Sequence, residues 1–496
     1  MAVGLPLSKF MMSVSQFTMG AAWLLEGNYS QKIERFKANF KLLLPFLLIY
    51  FVNFIGLGWT SNWTFGLHDV KVKIPLIVLP FMAATMPTVS AERISILIKT
   101  FLLAVFAGVM VSLYFYFGLS GQKLNDIREI SRFISHIRFS LMVCLSVFFS
   151  LHFFLQTESK YRYAWLFAAL FFAAFLFILQ SSTGIVILLA GGIFSMFYFL
   201  WKLGSGKVFY ASLTFVALLF TIALALVYDV WYHSFAHRKP IAEQMIHNGR
   251  HPYYHDTNFK ATENGNYIWI NADVDGMKRG WLAKTGISLE GDDTASINRI
   301  FILMRYISSL GLPKDSETVV NFSPKQIEDI KCNCTNYRYC NSLDPRHRIY
   351  ETFWEIQDYK IWGNADGHSV VMRLEFWRAA YCLIYKHIWF GVGTGDVADE
   401  FWKTYKRLHS SLDFEYQHRS HNQFLTYAVA IGVPGLILIL LGFMLWIKNL
   451  PAEGFLHFPA RIFALIVLLS MLNEDTLETQ PGVSFLAFFV IVFWKK

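Results

Sequence analysis

The stretch of this chain richest in groups that could do chemistry is His418-Arg419-Ser420-His421-Asn422. It leads straight into an apolar run that holds Gly432-Val433-Pro434-Gly435. An imidazole titrates near pH ~6.5, so a histidine here can take a proton from a hydroxyl under ordinary conditions. On an ideal helix the eleven residues from His421 to Gly432 advance about 16 Å and complete just over three turns. His421 and Gly432 are therefore expected on nearly one face. Gly435 continues that face, where small residues let another helix come close. The position alone also suits a histidine that only anchors a helix end at the membrane boundary.

Other patterns carry less. Gly391-Val392-Gly393-Thr394-Gly395 looks like a phosphate loop, but it follows a helical pattern and lacks the Gly-Lys-Ser/Thr of a nucleotide site, so a tight turn is expected. Asn271-Ala272-Asp273-Val274-Asp275-Gly276 opens like a calcium loop. The closing carboxylate is missing, because Leu282 stands in its place, and an Asp-Gly turn is the better reading. His251 and His255 have the spacing of a zinc pair but no glutamate follows His251. Cys332, Cys334 and Cys340 have no fourth metal ligand. One disulfide to Cys340 with one thiol left over is expected, its partner open. No metal site and no cofactor are expected.

The elements that must position these residues are membrane helices. The chain is 55% hydrophobic and 16% charged with a mean hydropathy of +0.39, whereas soluble chains carry about a quarter charged residues. Apolar runs near 5–24, 41–60, 74–88, 93–117, 137–155, 163–180, 183–202, 208–229, 421–447, 457–473 and 481–494 read as spans, the run at 74–88 broken or tilted by its prolines. The fold class expected is an all-α polytopic membrane protein of about 11–12 transmembrane helices. The net charge of +9 does not indicate nucleic acid, because many of the basic residues sit in short loops. Alternating loops hold Lys32, Arg35, Lys37 and Lys41; Arg93 and Lys99; Lys160 and Arg162; Lys202 and Lys207; Lys448 and Arg461; and Lys495 and Lys496, which makes them the inner loops. Segment 118–136, with Lys123, Arg128 and Arg132, is the basic exception outside. Three divisions follow: N-terminal spans over 1–229, a large polar loop domain over 230–420 on the outer side, and C-terminal spans over 421–496.

The ordered set His421-Asn422, nine residues, then Gly432-x-x-Gly435 resembles the signature of the O-antigen ligase and polymerase superfamily. Upstream, Gly367-His368-Ser369 and Arg373-Leu374-Glu375-Phe376-Trp377 run into the glycine turn at 391–395. Downstream stands the edge Glu474-Asp475-Thr476-Leu477-Glu478. The resemblance is specific over about 365–480 and is only a matter of span pattern before that. It implies a metal-independent glycosyltransferase in the bacterial inner membrane, its site facing the periplasm. The donor is a glycan on undecaprenyl diphosphate, and the acceptor a hydroxyl of lipid A-core or a growing polysaccharide. The donor is already activated, so no ATP is needed, and membrane lipids are the other partners.

Within the resemblance His421 takes the role of base or acceptor-orienting group. Arginines suit the diphosphate through paired, charge-assisted bonds. Arg373 matches the family's loop arginine and shares a helix face with Trp377, while Arg378 lies about 140° round from it. Arg138, at the outer start of the span 137–155, and Arg419 complete the set. Asn422, Gly432 and Gly435 belong to the structural motif. The chain departs from the family at Gln180-Ser181-Ser182-Thr183-Gly184, where some members carry an arginine. Competing readings are a protein O-glycosyltransferase, a transporter and a non-catalytic scaffold. A transporter needs ionisable groups at mid-membrane, for which His152 is the best candidate.

Overall fold

The computed structural model describes residues 1–122, 127–203, 206–236, 246–247, 251–256, 258, 260–289, 294–341 and 344–494. Lys123, Lys495, Lys496 and the side chain of His251 lie outside the described residues. The chain is an all-α polytopic membrane protein, and it divides into two compact units.

The first unit comprises Met1–Phe209, Phe376–Ser410 and Gln417–Lys496. Its helices are α1 (Lys9–Leu25), α2 (Tyr29–Ile55), α3 (Trp63–Lys73), α4 (Pro75–Thr85), α5 (Ala91–Tyr116), α6 (His136–Gln156), α7 (Arg162–Ile178) and α8 (Ser182–Leu203). α9 (Gly206–Trp231) leads from this unit into the second. Each apolar run expected to span is largely helical, the run at 5–24 in two pieces, Gly4–Leu7 and Lys9–Leu25, that break at Ser8. Six, among the described residues, are long and apolar enough to cross a bilayer on length and composition alone. α4, on the run at 74–88, is not among the six: it has 11 residues and follows α3 across a break at Ile74-Pro75. Proline lacks the backbone donor that would continue the ladder from α3. At 1.5 Å per residue α4 extends only about 17 Å, short of a hydrocarbon core.

Local sequence starts these helices. Ser8, Asn62, Ser90 and Ser135 each accept a first-turn backbone N–H in α1, α3, α5 and α6. Packing then sorts them. α6 is buried over 78% of its most apolar stretch, whereas the apolar stretch of Phe209–Phe235 is buried over none of its length. α6 is therefore an interior helix, with Phe148, Phe149 and Phe139 fully or nearly fully enclosed. The exposed Phe215, Leu218 and Phe220 of α9 are suited to lipid rather than water.

The second unit comprises Tyr210–Glu375 and Ser411–Tyr416. It holds α10 (Val274–Thr285), α11 (Thr294–Leu310), α12 (Pro345–Trp362) and the start of α13 (Ser369–Lys386), with two-stranded antiparallel ladders at Ile246–His247/His251–Pro252 and Thr262–Glu263/Asn266–Tyr267. Its core packs Met277, Trp281, Leu303, Ile307 and Val319. Asp273 caps α10 by accepting from Gly276 N at 2.8 Å, so the calcium-like stretch is a helix start. Cys334 pairs with Cys340 and Cys332 is a free exposed thiol.

The first unit continues through α13, α14 (Val397–Arg407), α15 (Gln423–Lys448), α16 (His457–Asn473) and α17 (Gln480–Val492). Here an expectation needs correction. α15 is not an ideal helix between His421 and Gly435: Gly432 stands at φ 73°, ψ 176° and kinks it. The kink frees backbone groups that the segment after α13 takes up. Val433 N donates to Ile388 O at 2.8 Å, Val392 N to Val429 O at 2.8 Å, and Gly393 N to Ala430 O at 2.9 Å. A Cβ on Gly432 would sit 2.5 Å from Trp389 O, and one on Gly391 would sit 2.4 Å from the Ala430 carbonyl carbon. The two glycine motifs thus lock to each other by backbone contact. The three atoms nearest to a Cβ on Gly435 all belong to Ile431 of α15 itself, the closest at 2.8 Å.

Candidate active site

Where the chain enters α15, Asn422 caps the helix. Its Oδ1 accepts from Phe424 N at 3.0 Å and Leu425 N at 3.1 Å, and its Nδ2 donates to Leu472 O at 2.9 Å. The cap therefore ties the start of α15 to the end of α16. His421, one residue earlier, takes a left-handed backbone conformation with φ 48°. Such a conformation is uncommon outside glycine and persists where the surroundings over-determine it. Those surroundings are the Phe376 ring, stacked at 5.4 Å, the His418 ring at 5.8 Å, and Glu474, whose Oε2 lies 3.5 Å from His421 Nδ1. Trp377 Nε1 donates to Ser420 O at 3.1 Å, and Tyr405 Oη to His418 O at 2.7 Å, so α13 and α14 both grip this loop.

The loop between α16 and α17 carries Glu474, Asp475 and Glu478 against the same place. Gln423 Nε2 donates to Glu478 Oε1 at 2.8 Å while its Oε1 accepts from Leu477 N at 2.6 Å. Thr426 Oγ1 donates to Asp475 Oδ1 at 2.7 Å. Glu478 also receives Arg419 Nη1 at 3.1 Å and Lys73 Nζ at 2.9 Å, and Lys73 in turn reaches Asp69 at 2.5 Å. Although burial alone would raise it, Lys73 and Arg419 hold the Glu478 carboxyl well below its usual range. Burial pushes the Asp475 carboxyl the other way, upward, against the pull of Arg419 and the Thr426 hydroxyl. Burial and the neighbouring His421 lower His418, so that ring is neutral near pH 7.

These groups line a cavity of about 390 Å³ that includes Arg138, His418, Arg419, His421, Glu474 and Glu478. Arg138 is buried. Its Nε donates to Thr479 Oγ1 at 3.3 Å and its Nη2 to Asp475 O at 3.0 Å, while Nη1 has no protein partner. A buried guanidinium nitrogen without an acceptor is costly, and a ligand oxygen would satisfy it.

Of the residues expected from sequence, the structure brings His421, Arg138 and Arg419 to one cavity, with Asn422 capping beside it. Arg378 is exposed on α13 and does not line the cavity. Arg373 belongs to the second unit, where its Nη1 donates to Ser369 O at 3.3 Å. Sequence reasoning did not assign Glu474, Asp475, Glu478, His418 or Lys73 to the site. The acidic edge at 474–478 was visible beside a span. Asp69 and Lys73, spaced i, i+4 just before an apolar run, were a signal that went unused.

An all-α membrane core whose helix mouths gather imidazole, guanidinium and carboxylate groups around one cavity defines a polytopic membrane protein with an enzyme-like polar site. Residues 340–440 match the family model described as O-antigen ligase, which supports a place in the O-antigen ligase and polymerase superfamily and a ligase- or polymerase-like enzyme in general terms. The matched segment holds Arg373, the glycine turn, His421, Asn422, Gly432 and Gly435; Arg138, Lys73 and the acidic edge lie outside it. No curated protein matches the chain.

Proposed function

We propose that the protein transfers a glycan from undecaprenyl diphosphate to an acceptor hydroxyl, on lipid A-core or a growing polysaccharide, at the periplasmic face of the bacterial inner membrane. The observation that carries this reading is His421, held against Glu474 in a cavity where Arg138 presents an unpartnered guanidinium nitrogen. Glu474 fixes the imidazole through Nδ1 and leaves Nε2 for the acceptor. The acceptor oxygen attacks the anomeric carbon while His421 takes its proton. The bond from that carbon to the diphosphate oxygen breaks, and undecaprenyl diphosphate departs with its electron pair. Arg138 and Arg419 stabilise the charge that grows on the leaving diphosphate, and the family resemblance assigns Arg373 to the same task.

The test is transfer by purified protein from undecaprenyl-diphosphate oligosaccharide to a panel of glycolipid, polysaccharide and peptide acceptors, with His421→Ala and Arg138→Lys at matched folding. Transfer by the wild type that both substitutions abolish or cripple supports the enzyme and names the acceptor. Transfer that neither substitution changes removes this cavity as its site.

A further inference from the structure

A second cavity, of about 960 Å³, lies at the opposite end of α16, a helix length or about 25 Å from the Glu474 loop. It is open and mostly aromatic, with Phe194, Tyr198 and Trp201 from α8 facing the start of α16. This end of the helices carries the basic loops, with Lys160 and Arg162, Lys202 and Lys207, and Lys448 and Arg461. The positive-inside rule makes it the cytoplasmic end.

The polar side of the cavity has a defined hydrogen-bond order. Arg461 Nε donates to His457 Nε2 at 2.7 Å, so that nitrogen is an acceptor and the ring is neutral with its proton on Nδ1. His457 Nδ1 is bonded to the Tyr198 hydroxyl, and must donate to it. The tyrosine's own hydrogen is then left to point at something else. Lys202, on the same rim, has no carboxylate within ion-pair distance among the described residues. Glu453 also lines the cavity, so Lys202 and Arg461 against Glu453 leave a net charge of +1 (two cations less one anion). One hydroxyl donor, two cationic groups and an apolar floor of aromatic rings match a phosphate ester joined to a hydrocarbon chain.

We propose that this cavity is a binding site for an anionic phospholipid of the cytoplasmic leaflet, its phosphate held by Lys202, Arg461 and the Tyr198 hydroxyl and its acyl chain laid on Phe194 and Trp201. The site is independent of the glycan-transfer cavity at the other membrane face.

Trp201 is 83% exposed and serves as the reporter. The protein is placed in nanodiscs of phosphatidylcholine carrying either brominated phosphatidylglycerol or brominated phosphatidylcholine. The fluorescence of Trp201 is taken as wild type minus Trp201→Phe. We expect phosphatidylglycerol to reach half quenching at a mole fraction about tenfold lower than phosphatidylcholine. Lys202→Gln and Tyr198→Phe, neither of which removes a packed core group, should each cut that preference about fivefold. Equal quenching by the two lipids would mean ordinary annular lipid and overturn the proposal. So would a preference untouched by both substitutions. Relief of phosphatidylglycerol quenching by millimolar inorganic phosphate would assign the cations to a free anion and overturn the lipid assignment.

Discussion

Among the described residues each unit holds a buried ion network, and the two differ in whether they are complete. In the second unit, Glu263 accepts from Arg305 Nε at 2.8 Å, Asn336 Nδ2 at 2.7 Å and the Tyr350 hydroxyl at 2.7 Å, and Arg305 lies 3.3 Å over the Trp354 ring. Both carboxylate oxygens and the guanidinium face are used. In the first unit, Lys73, Asp69, Glu478 and Arg419 pair with one another, while nearby Arg138, bonded to Thr479 Oγ1 and the Asp475 carbonyl, keeps one nitrogen unpartnered in the cavity that holds His421. Closed networks hold a fold in one arrangement. On the function proposed above, the first network is left open for a ligand and the second acts as a strut.

The largest effect that tests this difference is His421→Ala. It should lower transfer roughly 10²–10⁴-fold with an unchanged thermal midpoint, since a general base contributes that much and the side chain is only partly buried. A fall in both quantities would place His421 among the struts. Glu263→Ala should do the reverse. It leaves a buried guanidinium unpaired, and we expect a stability loss of about 3–5 kcal/mol by denaturant titration, with turnover per folded molecule unchanged. Lost turnover at full folding would give the second network a catalytic part.

Arg138→Lys sharpens the contrast at an intermediate scale. The charge remains and the planar fork does not, so kcat/KM should fall about 10–100-fold while the midpoint moves little. The smallest effect is the pH dependence of Glu478. Its folded-state carboxyl lies below its usual value of 4.5, so it contributes stability that is full above pH 4.5 and is lost as the pH falls. The stability gap between the wild type and Glu478→Gln, followed by thermal unfolding, should therefore narrow as the pH drops below 4.5. A gap that widens there would reverse the sign and remove Lys73 and Arg419 as the cause.

Much of this was legible in the sequence. The expected apolar runs are largely helical because a bilayer demands local apolarity and internally satisfied backbone; the breaks at Ser8 and Ile74-Pro75 are where single helices of spanning length fail. His421, Asn422 and the glycine spacing stood out because residue type and order are sequence properties. The kink at Gly432 was legible only in part: Pro434 inside the run was an unused signal of a break, whereas the φ of 73° packed against the backbone of Trp389 and Phe390, some forty residues away, was not. An ideal helix was the wrong reference for that reason.

The sequence by itself determined the apolar helices, the positions of the basic loops between them and the imidazole at a helix mouth. Only the tertiary structure decided which charges meet. Glu474 is 53 residues from His421, and Glu478 is 405 residues from Lys73. Ion pairing over a few ångströms depends on where helices pack, not on distance along the chain. Arg138 and Arg378 look alike as letters; packing buries one against the Asp475 carbonyl and leaves the other exposed.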